Sequence, residues 1–206
     1  GDADLALALE WGPVRVFRND AGKFTDATAA LGLDAHTGWW NSVALGDLDG
    51  DGHLDLVAGN WGLNSKYQQS YSREQPLRVA YGDFDKNGAT DIVEYHFDKQ
   101  TGKLVPERGR SCTSRAMSFI GESNPTYNVF GSRSLEDIYG ACLKEGTVVE
   151  ANTLAHMVFL NRGDRFEARQ MPAEAQFAPV FGLNVADFNS DGNEDVFVAQ
   201  NFFSSQ

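Results

Sequence analysis

Sulfur and imidazole are scarce in this chain: 206 residues contain two cysteines, four histidines and three methionines. His36, His53, His96 and His156 are far apart in sequence, and no Ser/His/Asp or metal-histidine pattern links them. Basic residues are also few, 17 against 29 acidic ones, leaving a formal charge of −12. That balance argues against a nucleic-acid binder, which needs a basic face. No apolar run approaches the ~18 residues of a membrane-spanning helix. Cys112 and Cys142 could form one disulfide in an oxidising compartment or remain two free thiols. The sequon Asn124-Pro125-Thr126 is blocked by its proline. With 42% apolar and 12% aromatic residues, the chain is globular and long enough for one good core.

Aspartate is abundant, and it is patterned. In Asp47-Leu48-Asp49-Gly50-Asp51-Gly52-His53-Leu54-Asp55 the carboxylates fall at positions 1, 3, 5 and 9 of a nine-residue loop between strand-like runs. Alternate acids in a tight turn point their oxygens at a common centre, where they repel by several kcal/mol unless a cation neutralises them. The donors are hard oxygens, which selects Ca²⁺ over zinc or copper. Gly52, at position 6, permits the bend, and the His53 carbonyl can add a ligand. The spacing recurs at Asp83–Asp91, with Asn87 at position 5, and at Asp187–Asp195, with Asn189 at position 3. Three Ca²⁺ ions would halve the net charge, so the acidity says little about partners. Weak Ca²⁺ loops are most useful outside the cytosol, in a secreted, cell-surface, periplasmic or outer-membrane protein.

The chain opens on a partial copy. Gly1-Asp2-Ala3-Asp4-Leu5 lines up with Gly52–Leu56, which puts Asp4 at position 9 and reads as a fragment or processed product. Ala3 to Glu10 then reads as a buried strand. Val14–Asn19 and Phe24–Ala27 read as a hairpin turning at Asp20-Ala21-Gly22-Lys23. A longer repeat follows. Val16-Phe17-Arg18-Asn19 precedes Asp47, and Val158-Phe159-Leu160-Asn161 precedes Asp187, with 28 and 26 residues from each Asn to its loop. Such a period predicts stacked units of about four short strands each, as in propeller blades. Glu10-Trp11, Asn60-Trp61 and Asn201-Phe202 recur after the loops as candidate packing between blades.

Residues 98–155 break the pattern. Ser134 to Leu143 reads as a helix capped by Ser134 and Asp137 and ended by Gly146, with Leu135, Ile138 and Cys142 on one face. The expected organisation is therefore blades over 1–97, an inter-blade insertion over 98–155 stapled by a Cys112–Cys142 bridge, and further blade over 156–206.

These loops between short strands resemble FG-GAP/VCBS repeats, the units of the integrin α-subunit N-terminal β-propeller. Val16–Asp20 and Val158–Gly163 are similar to the secreted bacterial VCBS proteins related to cartilage acidic protein. The resemblance implies an all-β propeller of about seven blades, of which this chain would supply three to four. It also implies Ca²⁺ ligands at positions 1, 3, 5, 7 and 9. Those are Asp47, Asp49, Asp51, His53 and Asp55; Asp83, Asp85, Asn87, Ala89 and Asp91; and Asp187, Asn189, Asp191, Asn193 and Asp195. An EF-hand would need helices around the loop and a Glu at position 12, where only Glu94 complies.

The reading of function is a Ca²⁺-stabilised module for protein or glycan interaction and adhesion, with Ca²⁺ structural rather than catalytic. Its partners would be such a ligand, and either further blades of a larger chain or a second copy. Two alternatives stay open. One is a self-assembling structural element. The other is a hydrolase or lyase using the propeller face or the insertion, through Glu94, His96, Arg108 or Arg110. Arg162-Gly163-Asp164 is a tripeptide many integrins recognise, but a glycine-containing hairpin tip accounts for it.

Overall fold

The structure, a computed structural model, describes residues 2–200. It is all-β with a short helical insertion, and the chain divides into two units, residues 1–68 with 153–206, and residues 69–152.

In the first unit the expected strand from Ala3 to Glu10 is two pieces, β1 (Leu5–Leu7) and β2 (Glu10–Gly12). It is not buried, since Leu5 and Leu7 are exposed, and Trp11 leaves extended geometry at φ 59°. β3 (Arg15–Asp20) and β4 (Lys23–Asp26) form the expected hairpin. Its turn places Ala21 and Gly22 at φ 52° and 87°, the double left-handed geometry of a tight hairpin. β5 (Gly38–Trp39) pairs with β2, and β6 (Ser42–Gly46) pairs with β7 (Asp55–Gly59) across the first acidic loop.

The second unit starts with β8 (Leu77–Gly82) and β9 (Asp91–Asp98), which bracket the second loop. β10 (Lys103–Pro106) pairs with β9 and β11 (Thr147–Ala151) with β8, so both ends of the 98–155 stretch belong to this sheet. The helical insertion is thus narrower than the sequence suggests. It comprises α1 (Arg110–Ala116), α2 (Ser118–Ser123), α3 (Tyr127–Ser132) and α4 (Leu135–Tyr139). Ser134 and Asp137 make the expected capping box, but Gly140 at φ 66° ends α4 and a 3₁₀ turn carries the chain to Gly146. Met117, Ile120, Phe130, Leu135 and Ile138 pack with Ala80, Val93 and Tyr95 as this unit's core.

The chain then returns to the first unit with β12 (Met157–Asn161), β13 (Phe166–Gln170), β14 (Val180–Ala186) and β15 (Asp195–Gln200). The order β13-β12-β7-β6 shifts the phase of the repeat. The Val158–Phe166 hairpin joins the strands of the preceding loop, at Asp47, rather than those of the loop that follows it. The sheet β1-β3-β4 follows the same order from its second strand on. β7 is buried along its whole length because β6 and β12 flank it and side chains cover both faces. Leu56, Ala58, Trp40 and Phe159 anchor the core with Val14 and Leu33, and the Trp40 and Phe159 rings meet edge-on at 5.8 Å.

The disulfide expected between Cys112 and Cys142 does not form. Cys112 is exposed on α1, while the Cys142 thiol lies in the 3₁₀ turn, 2.8 Å from the Tyr139 carbonyl. Burial pushes the Cys142 thiol pKa up, which favours the protonated form. Trp11 and Trp61 do pack together through Trp39, with ring centroids 5.1 and 4.3 Å from it. Their proposed counterpart Asn201-Phe202 lies outside the described residues.

Candidate metal centres

Each acidic loop closes an antiparallel hairpin. Gly46 is in register with Asp55, Gly82 with Asp91 and Ala186 with Asp195, so position 9 opens the second strand each time. Strands therefore flank all three loops, and the EF-hand alternative falls.

One hydrogen-bond scheme builds all three. The carboxylate at position 1 accepts the N–H groups of positions 5 and 6, at 2.9–3.1 Å in each loop: Asp47 from Asp51 and Gly52, Asp83 from Asn87 and Gly88, and Asp187 from Asp191 and Gly192. Position 5 accepts the N–H of position 7 through Asp51, Asn87 and Asp191. Position 9 reaches back to the N–H of position 2: Asp55 to Leu48, Asp91 to Phe84 and Asp195 to Phe188. The backbone is left-handed at position 4 (Gly50, Lys86, Ser190) and at position 6 (Gly52, Gly88, Gly192). Sequence reading picked out the glycine at 6 and missed position 4, where two residues with side chains accept the strain.

These bonds turn the carboxylates inward. Oxygens of Asp47, Asp49 and Asp55 lie within 4.8 Å of one another, and so do those of Asp83, Asp85 and Asp91. Three full negative charges at that spacing, on oxygen donors alone, fit a hard divalent cation and do not fit a thiophilic one. The third loop keeps the scaffold but carries the neutral Asn189 at position 3, so it brings less charge to its centre. The carboxyls of Asp51 and Asp191 are held below the usual carboxylate range. The main cause is the N–H of His53 in the first case and of Asn193 in the second. His53, Ala89 and Asn193 were expected to offer carbonyls, and the bond that fixes each is the one from its own N–H to position 5.

Asp55 differs from its neighbours in burial. It is 0% exposed, and its second oxygen accepts the N–H of Asn161 at 2.7 Å, while the Asn161 amide donates to the Leu54 carbonyl. Asp4 does the same for the partial copy, accepting the N–H of Asn19 at 2.8 Å while the Asn19 amide donates to the Ala3 carbonyl. Position 9 of the first loop and of the partial copy therefore each clamps the asparagine of the hairpin that joins its sheet.

Two contacts at the first loop went unread in the sequence. Glu194, position 8 of the third loop, accepts the N–H of Asp47. Arg162 places Nη1 2.6 Å from Asp49 and 3.2 Å from Asp51. Glu194 could have been noticed as an acid where the other loops have Leu54 and Thr90, but nothing local marks Arg162.

The residues weighed for catalysis separate into different contacts. His96 Nδ1 meets Glu107 at 2.5 Å, Glu94 faces Arg108 at 3.9 Å, and Arg110 turns to the Asn124 carbonyl and the Tyr127 ring. His156, passed over in the sequence, is fully buried. Its Nδ1 accepts the N–H of Asn60 at 2.7 Å and its Nε2–H donates to the Ala178 carbonyl at 3.0 Å, which sets the tautomer.

Residues 1–58 match the FG-GAP-like repeat family. Cartilage acidic protein 1 of Homo sapiens is 32% identical over 108 residues, which covers 44% of this chain and 16% of that protein. Its counterparts in Mus musculus and Xenopus tropicalis are 31% and 30% identical over the same length, each covered to 17%. The chain thus spans under a fifth of the curated relatives it matches.

Proposed function

From the premise that residues 1–58 are FG-GAP-like repeat, we propose that this chain is a Ca²⁺-stabilised β-propeller module of a secreted or cell-surface protein that binds a protein or glycan ligand. The observation that carries it is the shared scaffold of the three loops, which turns Asp47, Asp49 and Asp55, and likewise Asp83, Asp85 and Asp91, to one centre each. Ca²⁺ would be held by positions 1, 3, 5, 7 and 9, with about three ions per chain. When bound, it supplies charge neutralisation and no chemistry.

The chain's own residues do the structural work. Position 1 gathers two backbone N–H groups, position 5 one, and Asp55 at position 9 of the first loop ties it to the strand pair β12–β13. Relief of carboxylate repulsion in the loop thereby steadies the hairpin stack that presents the binding face. Exposed Phe181 and Phe197 on the two-stranded sheet β14–β15, with exposed Phe188 in the loop between the strands, suit packing by further blades or by a second copy. The extracellular setting rests on the likeness to cartilage acidic protein 1 and on the Ca²⁺ level such loops need. No helix among the described residues is long and apolar enough to cross a membrane.

The test is calorimetric Ca²⁺ titration together with thermal melting in Ca²⁺ and in chelator. About three ions bound and a melting point raised by Ca²⁺ are expected. No heat of binding and superimposable melts would remove the proposal.

A further inference from the structure

The first acidic loop already contains a cation, and it belongs to the chain. Arg162, at the tip of the β12–β13 hairpin, bridges Asp49 and Asp51 through one nitrogen, at 2.6 and 3.2 Å. Its Nε also lies 3.2 Å from Glu167. The pairs are half-buried, with side-chain exposures of 26% for Arg162, 31% for Asp49 and 32% for Asp51. The other loops differ. Loop two's own basic residue, Lys86, pairs with Glu145 outside the loop, and position 5 is the neutral Asn87.

Asp51 shows the consequence. Its Oδ1 accepts the N–H of His53 and contacts the His53 ring, and its Oδ2 faces Arg162. Both oxygens are engaged, and Asp51 stands apart from the converging set of Asp47, Asp49 and Asp55. For Asp51 to turn an oxygen inward, its contact with Arg162 has to break. Glu167 already holds the guanidinium through Nε, an anchor that survives when Nη1 leaves the loop.

We propose that Arg162 is a tethered competitor for Ca²⁺ at the first loop: it neutralises Asp49 and Asp51 when Ca²⁺ is scarce and must give up its Nη1 contacts with them when the ion binds, held meanwhile through Nε on Glu167. The inference rests on the Ca²⁺ reading of the loops. It makes loop one, the most acidic of the three, weaker for Ca²⁺ than its charge alone would suggest. It also gives the arginine of the Arg162-Gly163-Asp164 tripeptide a role inside the chain.

The test uses the full chain with loops two and three silenced by Asp85→Ala and Asp191→Ala, so that calorimetry reads loop one. Arg162→Gln should tighten Ca²⁺ binding roughly three- to tenfold, the worth of one or two half-exposed ion pairs. Arg162→Lys, which keeps the charge but loses the Nε anchor on Glu167, should tighten Ca²⁺ binding less than Arg162→Gln does. A second measurement needs no substitution. Phenylglyoxal modification of Arg162, mapped by mass spectrometry, should run faster in Ca²⁺ than in chelator. Unchanged or weaker Ca²⁺ binding in Arg162→Gln, or Arg162 labelling that is equal or slower in Ca²⁺, overturns the competition. If ions still fill the loops in that case, the Ca²⁺ reading survives alone. If the unsubstituted chain takes up no Ca²⁺ either, both fall.

Discussion

Asp55 accepts the backbone N–H of Asn161 at 2.7 Å, across 106 residues of chain. The pair joins the end of the first acidic loop to the hairpin that completes its sheet, and Asp4 with Asn19 repeats it. A carboxylate whose spacing marks it as a candidate metal ligand is thus a clamp between two strand pairs.

Asp55→Ala should destabilise with or without Ca²⁺. It strips acceptors from two N–H groups, those of Leu48 and Asn161, at a fully buried position. A loss of about 2–4 kcal/mol is expected, read as a lower urea midpoint at constant m-value. Asp55→Asn, which keeps an acceptor, should lose less in chelator.

Asp85→Ala should behave in the opposite way. Asp85 lies at a loop centre and carries no clamp to another hairpin. In ~1 mM Ca²⁺, with a Kd near 0.1 mM, the substitution should forfeit about 1.4 kcal/mol, and little in chelator. Equal melting-point losses under both conditions would refute a metal role for this residue.

His156 makes stability depend on pH. Burial pushes its pKa down to about 4, so the folded chain holds it neutral while the unfolded chain protonates it near 6.5. Above 6.5 the two states bind equal protons there and nothing is lost. As pH falls from 6.5 towards 4, unfolding takes up a proton and this residue's share of stability declines, by on the order of 3 kcal/mol in total. His156→Gln should be less stable at neutral pH but should flatten that part of the urea-midpoint curve.

Gly46→Ala should cost about 1–3 kcal/mol, because a Cβ there would run into Val185 and the Glu194 carboxylate. Circular-dichroism melts of the variant alone and with Glu194→Ala should show part of the loss recovered in the pair.

Reductant should leave the melting point unchanged, since Cys112 and Cys142 are free. A thiol reagent should label Cys112 first, exposed as it is, while burial keeps Cys142 protonated and slow.

The loops were legible because their information is local. An aspartate at every second position, a glycine at 6 and strand-forming flanks lie within about fifteen residues, and hydrogen bonds from backbone to nearby side chains decide the turn. The helix start at Ser134 was legible for the same reason. Helices α1 to α3 were not. Arg110–Ala116, for instance, is rich in serine and threonine and shows no apolar period, and tertiary packing around Ile120 and Phe130 holds these helices in place. The stretch from Ala3 to Glu10 misled because alternating leucines read as buried, whereas β1 exposes Leu5 and Leu7.

The sequence by itself determined the chemistry of this protein: oxygen-rich loops spaced for hard cations, strands on both sides of each, and a repeat. Tertiary structure alone decided which hairpin completes which sheet, that the two cysteines stay apart, and that Arg162 reaches across to Asp49 and Asp51. The physical reason is one of range. Loop geometry is set by contacts a few residues apart, whereas strand partners, a thiol's neighbour and a guanidinium's target depend on how distant segments pack, which no local pattern encodes.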